Sequence, residues 1–332
     1  MSDTDQFPSP AGQDPDRPGS PGQGYWEGAA WIPATETPPA RRLRRLWILG
    51  AAAAVVVASG VAAIGILTYQ FASQRSSSQG APPTQAVLAI TGLDHPNGVA
   101  VDGNGNVYIA DERNDRVLRL AAGSGTPAEL PFTDLDHPYG VAVSAGNVYV
   151  TDERNDRVLK LAPGSNAPTE LPFTSLSKPR GVAVDGGGNV YVADSGNDRV
   201  LRLATGSNAP VELPFPGLDR PYGVAVDGGG NVYVADRSNG QVLKLAPGSS
   251  SPAVLPFTGL SKPRGVAVDS RGNLYVADTD DSRVLKLAPG SSTPNVLPFT
   301  DLGSPAGVAV DCGGNVYVTN VDQQQVVKLP QR

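Results

Sequence analysis

His95 and Asn97, His137 and Tyr139, Lys178 and Arg180, Arg220 and Tyr222, and Lys262 and Arg264 form five pairs. Each pair straddles a proline and stands just before the tetrapeptide Gly-Val-Ala-Val. A sixth pair, Ser304 and Ala306, holds the same place without charge or ring. Guanidinium groups and aromatic faces gathered at one place offer bidentate bonds and stacking, which suits an anionic or sugar-like ligand, or a protein partner. The competing reading is a set of ordinary solvated loop residues. His95 and His137 are the only histidines. Two imidazoles could share a metal, but a catalytic zinc centre needs a third protein ligand and an acid or base. The expectation is a candidate binding rim of these ten residues, with no catalytic set, no resident metal and no cofactor.

Other chemistry-bearing residues carry less. Asp102-Gly-Asn-Gly-Asn106 opens like a calcium loop, but Val107 stands where the loop needs glycine and Arg113 where it needs glutamate. A hairpin turn is the expectation there. An aspartate recurs at Asp111, Asp152, Asp194, Asp236 and Asp278 and becomes Asn320 in the last repeat. A catalytic constellation is asymmetric, whereas these groups repeat. They read as loop-capping carboxylates, bonded to backbone N–H groups or paired with Arg116, Arg157, Arg199 or Arg283 across repeats. Cys312, the single cysteine, is open to two readings: an idle thiol, or a cross-link between two copies.

The elements that must position these residues follow from periodicity. Gly-Val-Ala-Val begins at Gly98, Gly140, Gly181, Gly223, Gly265 and Gly307, a repeat of about 42 residues. In the repeat at Gly181, short apolar runs at 181–185, 190–194, 200–203 and 211–215 are separated by turns rich in Gly, Asn and Pro. That predicts a four-stranded antiparallel meander. Six such units predict an all-β, six-bladed β-propeller over residues 84–332. Tyr108, Tyr149, Tyr191, Tyr233, Tyr275 and Tyr317, with Phe132, Phe173, Phe215, Phe257 and Phe299, are expected to fill the gaps between neighbouring blades. The chain ends after a third strand, while Val87–Ile90 matches the outer-strand pattern. This opening segment should complete the last blade and close the ring.

Before the repeats lie three further segments. Residues 1–45 are rich in Pro and Gly and predict a disordered tail. Its Tyr25, Trp26, Trp31 and Ile32 are either a docking motif or incidental hydrophobes. Residues 46–69 are almost wholly apolar, and no charge occurs between Arg45 and Arg75. This predicts one transmembrane helix. Arg41, Arg42, Arg44 and Arg45 precede it, so the tail should be cytoplasmic and the repeats extracytoplasmic. Its length favours an uncleaved anchor over a signal peptide. Residues 70–83 read as a flexible tether. Charge totals 26 Lys+Arg against 32 Asp+Glu. An acidic balance argues against a general nucleic-acid binder.

The run Asp-x-x-Asn-Asp-Arg-Val, at 111–117, 152–158 and 194–200 and more loosely at 236–242 and 278–284, resembles the NHL repeat. Leu-Pro-Phe-Thr-x-Leu followed by Pro-x-Gly-Val-Ala-Val-Asp is similar to the extracellular sensor propeller of the mycobacterial receptor serine/threonine protein kinase D family. In that family a kinase, a membrane helix and a six-bladed propeller follow in this order. Here no glycine-rich loop leads to Val-Ala-Ile-Lys, and no His-Arg-Asp or Asp-Phe-Gly occurs, so kinase activity does not carry over. The resemblance implies a binding or sensing head on a membrane anchor. An unidentified protein, peptide or envelope glycan is the expected partner. A propeller hydrolase or lyase acting over the channel is the alternative. Thr35 and Thr37 in the tail are candidate acceptors for a separate kinase or a cytoplasmic partner.

Overall fold

The computed structural model describes residues 24–27, 30–33 and 84–331. Residues 46–69 and 70–83, Thr35 and Thr37 lie outside them. Among the described residues no helix is long and apolar enough to cross a membrane. The chain divides into two units, residues 1–79 and 80–332. In the first, Gly24–Glu27 pairs antiparallel with Ala30–Pro33, so the stretch expected to lack regular structure contains a hairpin. Tyr25 stands opposite Ile32 and Trp26 opposite Trp31, in keeping with the strand preference of aromatic and β-branched residues.

The second unit is a ring of six four-stranded antiparallel sheets. Blade 1 runs from its inner strand, Pro96–Val101, through Val107–Asp111 and Arg116–Leu120 to Ala128–Glu129. Blades 2 to 5 repeat this order. Blade 6 takes Pro305–Val310, Val316–Asn320 and Gln325–Leu329 from the C-terminus and Ala86–Val87 from the start of the domain. Val87 pairs with Val327 and Ala86 with Lys328. The ring is therefore closed by the opening segment, which removes the free edge of the last blade.

Outer strands are shorter than the five residues expected: in blade 3 only Val211–Glu212 is in the ladder. The reason is the following Leu-Pro-Phe. Pro214 has no N–H to donate, and the chain turns so that Phe215 N–H bonds Leu213 O at 2.8 Å. That turn drives Phe215 beneath the sheet, where it is buried. Ile90 makes the same turn, onto Leu88, and is buried where the other blades place phenylalanine.

Each apolar cluster joins two adjacent blades. Tyr108, Val117 and Phe132 pack with Val141, Val150 and Leu159 of blade 2. Ile90, Leu93 and Ile109 pack with Tyr317 and Val326 of blade 6. Burying one aromatic ring removes roughly 150–250 Å² from water, and one blade alone has no second face to bury it against.

A β-bulge recurs in every blade and decides where the functional side chains go. Pro96 is opposite Asp111 while Val99 is opposite Ile109, so Asn97 and Gly98 stand where the partner strand has one residue. The same irregularity follows Pro138, Pro179, Pro221, Pro263 and Pro305. A bulge re-aims side chains and strengthens the local twist. The glycine after it lets blades meet: a Cβ on Gly265 would overlap the carbonyl of Ala306, and one on Gly307 that of Asn97.

Candidate functional site

The bulges turn one residue per blade into the mouth of the central channel. Asn97, Tyr139, Tyr222, Arg264 and Ala306 surround a cavity of about 90 Å³ above the Val-rich inner strands. Arg180, the sixth member of this ring, lies against its two tyrosines. Its guanidinium carbon is 3.8 Å from the Tyr222 ring centroid and 5.1 Å from that of Tyr139. The two rings themselves meet edge to face.

A second ring sits beside the first and escaped the sequence reading. It is the residue after each strand-ending aspartate: Glu112, Glu153, Ser195, Arg237, Thr279 and Val321. Glu153 is buried and accepts from Arg180 Nη2 at 2.8 Å. Glu112 accepts from Asn97 Nδ2. The Arg237 guanidinium carbon lies 4.8 Å from the Tyr222 centroid, on a ring that Arg180 also contacts. Ser195 and Thr279 donate to the carbonyls of Pro221 and Pro305 in the next blade. Variation at this position, next to an otherwise constant aspartate, was the signal that could have found the ring.

Electrostatics make the mouth unlike the rest of the surface. Arg237 is brought below its ordinary pKa by burial, then by the positive charges of Arg264 and Arg180. Burial pushes the Tyr139 phenol up; Glu153 and Glu112 reinforce that, while Arg264 and Arg180 oppose it. Among the described residues, four buried side-chain atoms lack a hydrogen-bond partner: Asn97 Oδ1, Tyr139 Oη, Arg237 Nε and Arg264 Nε. All four belong to these two rings.

The other five sequence candidates stand on the far side of the proline. His95, His137, Lys178, Arg220 and Lys262 all have left-handed backbones, with φ of 55°, 59°, 49°, 50° and 52°. Their backbone N–H groups do structural work: those of His137, Lys178 and Arg220 donate to Asp115, Asp156 and Asp198 of the preceding blade. Lys262 Nζ pairs with Asp280 at 2.6 Å. Lys178 and Arg220 share a polar recess with Arg180, Asp198, Asp219 and Tyr222. His95 Nδ1 is 3.0 Å from Asp94 and His137 Nδ1 is 2.8 Å from Asp136. Asp115, Asp136 and His137 bring one potential ligand atom each within 4.8 Å, and His95 is not in that group.

The recurring aspartates are saturated caps. Asp111 accepts from Asp94 N, Asn114 Nδ2 and Arg116 Nε at 2.7–2.8 Å. The arginine pairing lies within one blade, not across blades as expected, because Asp111 and Arg116 face each other across a single hairpin. Arg116 also donates through Nη2 to Gly92 O, in the loop leading into its own blade. Burial raises Asp278 above its ordinary value, outweighing the bond from Arg283. At the other end of the channel, Asp102 accepts from the backbone N–H of Asn104 and Asn106, from Asn106 Nδ2 and from Tyr108 Oη. A hairpin turn accounts for that loop in full. Cys312 is exposed and unpaired in the matching turn of blade 6.

With this geometry in place, the likenesses to known proteins fall on the repeats. The NHL repeat profile matches residues 93–120, 176–203, 218–245, 260–287 and 302–329. Blade 2 lies outside the match, and it is the blade whose first turn has Ser144 in place of aspartate and is one residue shorter. The chain is 48% identical over 91 residues to the serine/threonine-protein kinase PknD of Mycobacterium tuberculosis (strain H37Rv). That match covers 26% of this chain and 13% of the kinase, so the chain spans about an eighth of that relative's length. Among solved structures, a streptogramin B lyase superposes with a TM-score of 0.60 at 15% identity, over 75% of this chain and 98% of its own. The gluconolactonase XC5397 of Xanthomonas campestris gives 0.63 at 17%, over 74% and 89%. At such identities these structures share the fold alone. The repeats, the bulged blades and the strand-closed ring together identify the domain as a six-bladed NHL-repeat β-propeller similar to part of PknD.

Proposed function

We propose that this chain is a membrane-anchored binding module whose propeller engages a ligand or protein partner at the cell envelope, in the manner of a sensor head. One observation carries the reading. The repeated polar groups of the blades satisfy one another, whereas the unpartnered buried atoms gather in the two rings at one mouth of the channel. A fold that saturates its own carboxylates and leaves arginine and tyrosine atoms unsatisfied in one place has kept bonding capacity for something else. The lyase and lactonase neighbours support the fold and do not favour a hydrolase or lyase reading of this mouth.

An array of envelope glycans and peptides probed with the full chain tests the reading. Binding that is lost when Arg180, Tyr222 and Arg264 become alanine supports it; binding indifferent to those changes, or none at all, rejects it.

The anchor rests on residues 46–69 and the arginines before them. As the single, exposed cysteine, Cys312 reports the side on which the propeller stands. A membrane-impermeant maleimide is expected to label it on intact cells. Labelling only after lysis would contradict the topology.

A further inference from the structure

Arg237 and Arg264 are the least explained charges in the propeller. They come from neighbouring blades, burial and then the charge of Arg264 disfavour the cationic form of Arg237, and both carry a buried Nε with no partner. Among the described residues neither makes an ion pair: Arg180 takes Glu153, while Glu112 is bonded to Asn97 and lies 4.0 Å from His137. Like charges held together at a half-buried mouth without a counter-ion make a place where an anion is stabilised on arrival.

The remaining unpartnered atoms narrow the class of anion. Glu112 accepts through its carboxylate, so the amide nitrogen of Asn97 faces it and Asn97 Oδ1 is left pointing elsewhere as an acceptor. Asn97 is 3% exposed, so this oxygen meets almost no solvent. It calls for a hydroxyl donor, and Tyr139 Oη in the neighbouring blade both donates and accepts. The cavity of about 90 Å³ has room for several waters, or for one carboxylate or phosphate head, with the body of the ligand left at the rim. At the rim, the recess of Lys178, Asp198, Asp219 and Arg220 offers further polar bonds.

We propose that the channel mouth binds the oxyanion of a polyhydroxylated ligand, an acidic or phosphorylated sugar, with Arg237 and Arg264 on the anion and Asn97 and Tyr139 on adjacent hydroxyls. This rests on the binding reading above and names its ligand class.

The test is calorimetric titration of the purified full chain at low salt with glucuronate, glucose 6-phosphate and glucose. The expected result is binding of at least one of the two anions about tenfold or more tighter than glucose, a difference that shrinks as salt is raised. Which anion wins identifies carboxylate or phosphate as the source. Arg237→Gln and Arg264→Gln should each cost about tenfold for the anion and leave the melting temperature of the free protein equal or higher, because a repulsive charge has gone. Purely structural arginines would instead lower the melting temperature and spare the affinity, and that overturns the proposal. Equal affinity for glucose and both anions, or no binding by any of the three, also overturns it. If the array still shows binding dependent on Arg180, Tyr222 and Arg264, the ligand class falls while the binding reading stands; if the array fails too, both fall.

Discussion

Arg180 of blade 3 lies with its guanidinium 3.8 Å from the ring centroid of Tyr222 in blade 4, and its Nη2 bonds Glu153 of blade 2 at 2.8 Å. One side chain thus ties three blades together at the channel mouth. Removing it leaves Glu153 buried without a counter-ion, which costs about 3–5 kcal/mol, whereas removing both partners costs less. Arg180→Ala should therefore destabilise the full chain by about 3 kcal/mol, and Arg180→Ala with Glu153→Ala should recover part of that loss. Denaturant unfolding measures both. Strict additivity of the two changes would show that the pair is not coupled.

Glycine at the start of each inner strand is set by contact between blades. Gly265→Ala would push a methyl into the carbonyl of Ala306 and should cost about 3 kcal/mol or more, since the obstacle is backbone on both sides. Gly228→Ala meets nothing within 4 Å and should stay within about 0.5 kcal/mol of wild type. Thermal melts of the two variants side by side decide the point. Similar behaviour would remove close packing as the reason for the repeated glycine.

Closure by the opening segment makes a sharper demand. Deleting residues 84–93 removes the paired strand at Ala86–Val87 together with buried Ile90 and Leu93. Ile90→Ala alone should cost about 2–4 kcal/mol. The deletion should lower the cooperative melting temperature far more, because it also frees the edge of blade 6. An unchanged melt would mean that the ring is not latched there.

Acid and alkali should both loosen the blade turns. Burial raises the pKa of Asp102, Asp185, Asp227, Asp269 and Asp311, but bonds from asparagine, backbone N–H and tyrosine outweigh it and hold each below 3.8. A depressed folded pKa means stability fully present above the unfolded value and lost as pH falls through the folded one. Stability should thus decline as pH drops below about 4. The partner tyrosines move upward through burial and the adjacent aspartate, Tyr191 to about 12. Their contribution is intact below pH 10 and lost as pH climbs toward that value. Melting temperature measured from pH 2 to 12 should show both limbs. A flat profile at either end would contradict the corresponding pairing.

The sequence was most legible where the repeat is strict. Period and turn residues gave the six blades, and the unmatched run at Val87–Ile90 gave the closure. It was least legible where a residue's direction depends on geometry that pattern does not encode. Asn97 and His95 flank one proline, yet the bulge after Pro96 sends Asn97 into the channel mouth while His95 takes a left-handed backbone at the edge of its blade. Alternation along a strand assumes an unbroken ladder, and the bulge breaks it at the position that matters. Glu112, Glu153 and Arg237 are illegible for a different reason: each follows a constant aspartate, and their position has no residue type common to the repeats. The shortened outer strands belong to the same lesson, since the apolar run of blade 3 continues to Phe215 while Pro214 ends the pairing.

The central claim is that binding resides in the asymmetric mouth and nowhere else on the repeated surface. Its most direct measurement compares three full chains on one array of envelope glycans and peptides: wild type, the variant with Arg180, Tyr222 and Arg264 changed to alanine, and a variant with the exposed Arg119 and Arg202 of the third strands of blades 1 and 3 changed to alanine. The account predicts binding by the first and third and loss in the second, with all three shown to be folded by cooperative melts. Binding retained by the mouth variant, or lost equally in both variants, would contradict it.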